Sequence, residues 1–329
     1  MNTKQDTVMA TFSQRFISAV LPRVLGTDSP RRLSILLYHR VLAERDPFLS
    51  QAPTIAEFDW QMRLLASHFA PLPLSEALER VEAGTLPRRA VAVTFDDGYA
   101  DNLLNALPVL NKYGVPATVF VSTRFIDGGL MWNDAVRESL RGMPPGRLEL
   151  ADLGLGDYSV DDIDSRRAAI REITREIKYR TPAQRQAVVD ALAARASELP
   201  SDLMLSRAQL QALAAAGVEI GGHTVNHPIL ATLEADEAEW EIAQGRRDLE
   251  ALLGSPPGLF AYPNGKRGED FLDIHADLVR RAGYSAAVTT DWGVSTAASD
   301  RYLLPRFTPW DATAQRFLLR MLLNERHMR

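Results

Sequence analysis

Apolar runs of strand length alternate along this chain with longer stretches of helical period. Runs rich in valine, leucine, isoleucine and phenylalanine at 34–38, 89–95, 115–121, 218–220, 259–262 and 285–289 read as buried strands. Thr54 with Glu57 forms a capping box that opens a helix reaching about His68. Residues 102–113 read as a helix stopped by Gly114, with Pro108 placed to kink it. Ser206 with Gln209 opens a helix over 207–216, and further helices are expected at 233–253 and 269–282. Such alternation predicts an α/β fold built on a parallel sheet or barrel. Between 124 and 205 the rhythm breaks. That stretch holds a helical segment over 131–141, a Gly/Pro-rich link around Pro144 and two charged helical segments. The second of these opens on Thr181-Pro182-Ala183-Gln184, a capping box with proline at the first helical position. The stretch reads as a helical insertion between two strands.

Composition narrows the picture modestly. With 329 residues the chain can bury a large core, as one big α/β domain or two smaller ones. A hydrophobic fraction of 46% and a charged fraction of 24% are those of an ordinary globular protein. The net charge of -5 gives no reason to expect a nucleic-acid partner. Cysteine is absent, so disulfides and thiolate metal sites are excluded, and any zinc must be held by histidine and carboxylate. That absence suits cytoplasm and periplasm alike.

No run is apolar for long enough to span a bilayer, and the N-terminus lacks the apolar core and cleavage site of a signal peptide, so the expected location is cytoplasmic. Val8, Met9, Phe12, Phe16, Val20 and Val24 do recur at near-helical spacing, with Lys4, Arg15 and Arg23 among them. A helix lying on an anionic membrane surface has this pattern, and so does one packed on its own domain. Phe317, Leu318, Met321 and Leu322 among Arg316, Arg320 and Arg326 pose the same alternative near the C-terminus.

The chemistry concentrates at two strand ends. Val91-Ala92-Val93-Thr94-Phe95 runs into Asp96-Asp97-Gly98-Tyr99, and strand ends in α/β folds are where active sites gather. Two adjacent carboxylates repel each other and lose solvation there, so a positive partner is expected, a metal ion being the obvious one. His223 and His227 follow the strand at 218–220. Histidines at this spacing can face the same way in a helical turn, and with one carboxylate they make a metal-binding face with open positions. An isolated His-x-x-x-His is usually a pair of unrelated surface or capping histidines; beside Asp96-Asp97 it carries more weight.

Together, Thr94-Phe95-Asp96-Asp97-Gly98-Tyr99, His223-Thr224-Val225-Asn226-His227-Pro228 and Phe260-Ala261-Tyr262-Pro263-Asn264-Gly265 resemble the motifs of the polysaccharide deacetylases with a NodB-homology domain, carbohydrate esterase family four. The resemblance runs from about Leu33 to Phe307, around the insertion. It implies a distorted (β/α) barrel of the NodB-homology type as a catalytic domain over 33–310, with its helical insertion at about 124–205. An N-terminal amphipathic segment at 1–32 and a C-terminal helix at 311–329 would flank it. It also implies that Asp97, His223 and His227 hold a divalent metal, most often zinc, with Asp96 as general base toward the attacking water. The backbone N–H of Asn264 is then expected to hold the oxyanion, with Tyr262 and Pro263 beside it at the substrate.

Three departures bear on the site. Where many members carry an arginine that pairs with the base, this chain has Ala261; Arg306, in Leu304-Pro305-Arg306-Phe307, is either the replacement from another loop or an ordinary surface arginine. The late histidine expected as general acid has only His327 to represent it, near a fraying terminus. His39, at the end of the first strand, suits the part better, in an order that resembles the poly-N-acetylglucosamine deacetylase branch. His68 and His275 fall on helices and are expected to be structural or solvated. The insertion brings Trp132, Asn133 and Asp134, which either line a sugar groove or form the core of the inserted helices. Trp292, in Thr290-Asp291-Trp292-Gly293, resembles the family's fourth motif, whose tryptophan borders the acetyl pocket.

The expected activity is metal-dependent removal of N-acetyl groups from an amino-sugar polysaccharide or oligosaccharide, in exopolysaccharide or cell-envelope synthesis. Two other readings stand beside it: a deacylase of a lipid-linked or nucleotide-linked sugar, which a peripheral membrane contact through the N-terminal helix would suit, and a degenerate carbohydrate-binding barrel without activity.

Overall fold

The computed structural model describes residues 31–324. Residues 1–30, with most of the expected N-terminal amphipathic segment, and 325–329, with His327, lie outside the described residues. Strands β1 (Leu33–Tyr38), β3 (Ala90–Phe95), β4 (Ala117–Val121), β7 (Glu219–Gly222), β8 (Leu259–Ala261) and β9 (Ala286–Val288) lie side by side in that order, with the two-residue β2 (Ala70–Pro71) on β3. All these pairings are parallel. The sheet curls into a half-barrel, and the segment 304–307 spans its two edges. Leu304 bridges Val288 of β9 and Phe307 bridges Leu36 of β1. The Thr289 N–H donates to the Leu304 carbonyl at 2.8 Å and the Leu37 N–H to that of Phe307 at 2.9 Å.

Alternation along the strands sorts the core into two layers. Leu33, Ile35, Ala90, Ala92, Phe120, Leu259, Ala261, Ala286, Val288 and Leu304 meet inside the curl. Leu36, Val91, Val93, Phe95, Val119 and Val121 face outward, against α1 (Ile55–His68), α3 (Leu107–Tyr113), α7 (Arg207–Ala215) and α10 (Ala314–Asn324). Phe260 and Ala287 face outward elsewhere, against α8 (Ala235–Leu253) and α9 (Asp273–Arg281).

Residues 124–205 hold α4 (Trp132–Gly142), α5 (Ile163–Ile177) and α6 (Pro182–Ala193), packed on a cluster of their own around Val136, Leu140, Ile173, Ile177, Val188 and Leu192. They also hold a short antiparallel hairpin, β5 (Arg147–Glu149) and β6 (Asp157–Ser159), absent from the sequence reading because only its central residues are buried.

Three further differences have physical causes. Helix α2 (Leu74–Glu82) carries no local cap signal. Pro73 sits at its N-cap, and the N–H groups of Leu74 and Ser75 donate to the Glu219 carboxylate, far away in sequence. The kink expected at Pro108 is absorbed upstream as a π-turn over Asn102–Ala106, since proline removes one ladder hydrogen bond. Helix α9 begins at Asp273, because the residues before it form a loop in which the Asp270 carboxylate accepts the Lys266 N–H at 3.1 Å.

Candidate active site

Asp96 continues the inward-facing parity of Ala90 and Ala92, so its carboxylate enters the mouth of the half-barrel, 2% exposed. Arg306 shares the parity of Leu304 on the edge-spanning segment and reaches the same point from the far side, 1% exposed. The two form a fork: Nη1 donates to Oδ1 at 2.7 Å and Nη2 to Oδ2 at 2.6 Å. Arg306 is itself anchored through Nε to the Thr289 carbonyl at 2.8 Å and through Nη1 to the Thr94 hydroxyl at 3.1 Å. Burial pushes the Asp96 carboxyl up, but the Arg306 guanidinium outweighs it and holds the carboxyl below its usual range. An arginine from another loop thus stands where the sequence offers Ala261.

Strict alternation would turn Asp97 outward. Its backbone is instead left-handed (φ 80), as is that of Gly98 (φ 86), and the side chain meets His223 and His227. The histidines converge through a left-handed turn rather than the helical turn their spacing suggested: Thr224 has φ 66 and His227 φ 52. A positive φ at a β-branched residue is an outlier that surroundings must hold in place, and such strain clusters at functional sites. The holding group is Glu241 of α8, buried, which accepts the Val225 and Asn226 N–H groups, each at 2.9 Å, and the Asn226 amide at 2.7 Å. The Thr224 hydroxyl accepts the His227 N–H at 3.1 Å.

Both Nε2 atoms lie 3.3 Å from Asp97 Oδ1. His223 Nδ1 sits 2.7 Å from the Ala261 carbonyl, which only a protonated Nδ1 satisfies, so its Nε2 presents a lone pair. Asp97 Oδ1 is buried without a hydrogen-bond partner, and so is His227 Nδ1. Asp97 Oδ1 and the two Nε2 atoms therefore lie within 4.8 Å of one another, and with the His227 proton on its free Nδ1 all three present lone pairs to a common point. Ligands of a tetrahedral ion at about 2.1 Å stand about 3.4 Å apart, so the 3.3 Å spacings fit a divalent cation.

These groups open into a pocket of ≈ 500 Å³ that also takes in His39, Asn264 and, from α4, Asn133 and Arg137. His39 stands exposed at the end of β1, close enough for its charge to act on both Asp96 and Asp97. The π-turn steadies this loop: Asn102 Nδ2 donates to the His39 carbonyl at 2.8 Å and Asn105 Nδ2 to that of Val41 at 2.7 Å. Asn264 (φ 58) turns the chain into the pocket with its Nδ2 unpartnered. Gly265 must follow: a Cβ there would press on the Thr290 N–H and the Tyr262 carbonyl, each 3.0 Å away. Arg137 was not singled out in the sequence; its one signal is Asp134 three positions earlier, which it pairs with beneath the Tyr99 hydroxyl.

Four proposed substrate contacts fall elsewhere. Tyr262 is fully buried, stacked on Phe271 at 3.8 Å, with its hydroxyl on the Tyr302 carbonyl, so it presents no surface to a sugar. Pro263 is buried in the turn before Asn264. Trp132 packs into the inserted helices and faces a different cleft. Trp292 leans away on Phe307 and Trp310, its indole N–H bonded to Asn324 of α10. His275, as expected, is structural: Nδ1 accepts the Leu272 N–H at the start of α9.

A curled parallel sheet with an Asp-His-His centre beside a buried general-base candidate defines a hydrolase of the NodB-type barrel class. The family profile for polysaccharide deacetylase matches residues 83–152 and 194–287. The chain belongs to that family, whose members hydrolyse N-acetyl amide bonds. The unmatched 153–193 holds β6, α5 and α6, and His39 and Arg306 also lie outside the matched stretches. The poly-beta-1,6-N-acetyl-D-glucosamine N-deacetylase of Staphylococcus epidermidis is 38% identical over 105 residues, 28% of this chain and 36% of that protein. The match thus spans little more than a third of that relative. Among solved structures, the Streptococcus pyogenes deacetylase PplD in complex with acetate has a TM-score of 0.60 at 20% identity, covering 89% of this chain and 99% of that one. IcaB from Ammonifex degensii has a TM-score of 0.57 at 21% identity, covering 90% and 97%. No helix among the described residues is long and apolar enough to cross a membrane.

Proposed function

We propose that this protein removes N-acetyl groups from an amino-sugar polymer of the poly-N-acetylglucosamine kind, in exopolysaccharide synthesis. The observation that carries this reading is three buried, converging metal-ligand side chains, Asp97, His223 and His227, beside a carboxylate paired with Arg306. Asp97, His223 and His227 would hold a divalent cation, zinc suiting the nitrogen–oxygen donor set, and that ion supplies Lewis acidity toward the amide and the attacking water. Asp96 accepts the proton of that water, its orientation set by the arginine fork. The turn at Asn264 faces the developing oxyanion with backbone and side-chain donors. His39, exposed on the pocket wall, hands a proton to the departing nitrogen, so the C–N bond breaks to acetate and a free amine.

The test is acetate release from a β-1,6-linked N-acetylglucosamine oligomer, by chelated and zinc-restored protein, for wild type and Asp96→Asn. Zinc-dependent release, lowered at least about 100-fold by the substitution, is expected. Release by neither protein across a broad panel of N-acetylated sugars rules the activity out. Release equal in both removes Asp96 from the reaction.

A further inference from the structure

A second cleft, of ≈ 1230 Å³, is distinct from the catalytic pocket. It lies between α4, the start of α6 and the first half of α8, and it backs onto the site. Trp132 faces it while the next residue, Asn133, lines the catalytic pocket; Asn226 and Pro228 face it while His227 between them lines the pocket. Its α6 wall, with Pro182, Arg185 and Gln186, falls in the stretch the family profile leaves unmatched. The cleft is thus walled on one side by the inserted helices and on the other by α8, which lies within the matched stretches.

Its chemistry is specific. Trp240 of α8 lines it and is 49% exposed, a large aromatic face left to solvent. Glu234, Asp236 and Glu237, in and just before the first turn of α8, stand exposed along the same wall. Of the two cations in the lining, Arg185 is committed, lying over the Trp132 ring at 5.0 Å and donating to the Lys178 carbonyl at 3.2 Å; Arg124 is exposed. Carboxylates thus outnumber available cations around an indole face. A pyranose stacks its apolar face on such a ring, and an ammonium group on that sugar is drawn to both the ring and the carboxylates.

We propose, on the basis of the deacetylase reading above, that this cleft binds the de-N-acetylated, ammonium-bearing units of the amino-sugar chain. Hydrolysis turns a neutral acetamide into an amine that is protonated near neutral pH, so charge appears only where the reaction has run. A carboxylate wall beside the catalytic pocket separates reacted units from unreacted ones and keeps the enzyme on chains it has begun to process.

The test is calorimetric titration of the metal-free full chain with a β-1,6-linked glucosamine tetramer and with its fully N-acetylated counterpart, at low and high salt. The glucosamine tetramer is expected to bind about tenfold tighter, with the preference fading in salt. Trp240→Ala should weaken it about tenfold. Asp236→Asn with Glu237→Gln should remove the preference and leave the acetylated tetramer unaffected. Equal affinities for the two tetramers overturn the proposal, as does a preference that survives Asp236→Asn with Glu237→Gln, which would place the binding in the catalytic pocket. Acetate release by wild type is measured alongside. Its absence with the binding pattern intact removes the deacetylase reading alone, while release without a binding preference removes the cleft alone.

Discussion

Replacing Arg306 by methionine tests the electrostatic logic of the pocket most directly. The guanidinium is fully buried and makes four hydrogen bonds, two of them to Asp96, which is 2% exposed. Without it, Asp96 must stay ionised and unpaired, at about 3–5 kcal/mol, or take up a proton. Protonating an ordinary aspartate costs about 1.5 kcal/mol at pH 5 and about 5 kcal/mol at pH 7.5, from 1.36 kcal/mol per pH unit above about 3.9. The cheaper route therefore changes with pH. In wild type the carboxyl is held below its usual range, so the pair's stabilisation is fully present above the unfolded-state value, about 3.9, and is lost only in stronger acid. In the variant the folded-state value is raised, so its stability falls as pH rises. The deficit relative to wild type should be about 2 kcal/mol at pH 5 and about 4 kcal/mol at pH 7.5. Urea unfolding of the chelated protein at the two pH values measures it. Adding Asp96→Asn to the variant removes the buried charge and should abolish the pH dependence. A deficit equal at both pH values would refute the argument. The acid limb of kcat/KM should also move upward in Arg306→Met, because the base then titrates nearer neutrality.

Two further predictions concern the metal centre. Zinc-loaded wild type should carry one ion per chain by elemental analysis and His223→Ala none, since the remaining Asp97 and His227 make an incomplete set. Full occupancy in the variant would place the ion elsewhere. Glu241 touches no ligand but clamps the strained turn between the two histidines, so Glu241→Ala should weaken zinc affinity about 10–100-fold, with partial recovery in Glu241→Gln. Competition with a chromogenic chelator reads this out, and an unchanged affinity with lowered stability would mean that Glu241 serves the fold alone.

Much of this protein follows from local pattern. The strand runs at 34–38, 89–95 and 115–121 fall within two residues of β1, β3 and β4, because a strand covered on both faces must be apolar along its length. The capping boxes at Thr54, Thr181 and Ser206 form as their spacing dictates, each a contact between residues three apart. Asp96, Asp97, His223 and His227 are legible because each pair sits at a strand end, where the fold gathers its chemistry whatever the loops do.

What tertiary structure alone decided are contacts across long sequence separations. Helix α2 takes its N-terminal cap from Glu219, 145 residues away, so that cap is invisible to any local window. Arg306 becomes the partner of Asp96 only because 304–307 closes the edges of the sheet and sets its parity inward; as sequence it was equally a surface arginine. The histidines meet through a left-handed turn that Glu241 holds in place, where local spacing pointed to a helix. Tyr262, Pro263, Trp132 and Trp292 carry side chains that suit a sugar site, and their packing partners turn them from it. Residue type and spacing set which chemistry was available, while strand parity, sheet closure and long-range hydrogen bonds set which side chains reach the pocket. Those depend on the whole chain at once, and no local interaction encodes them.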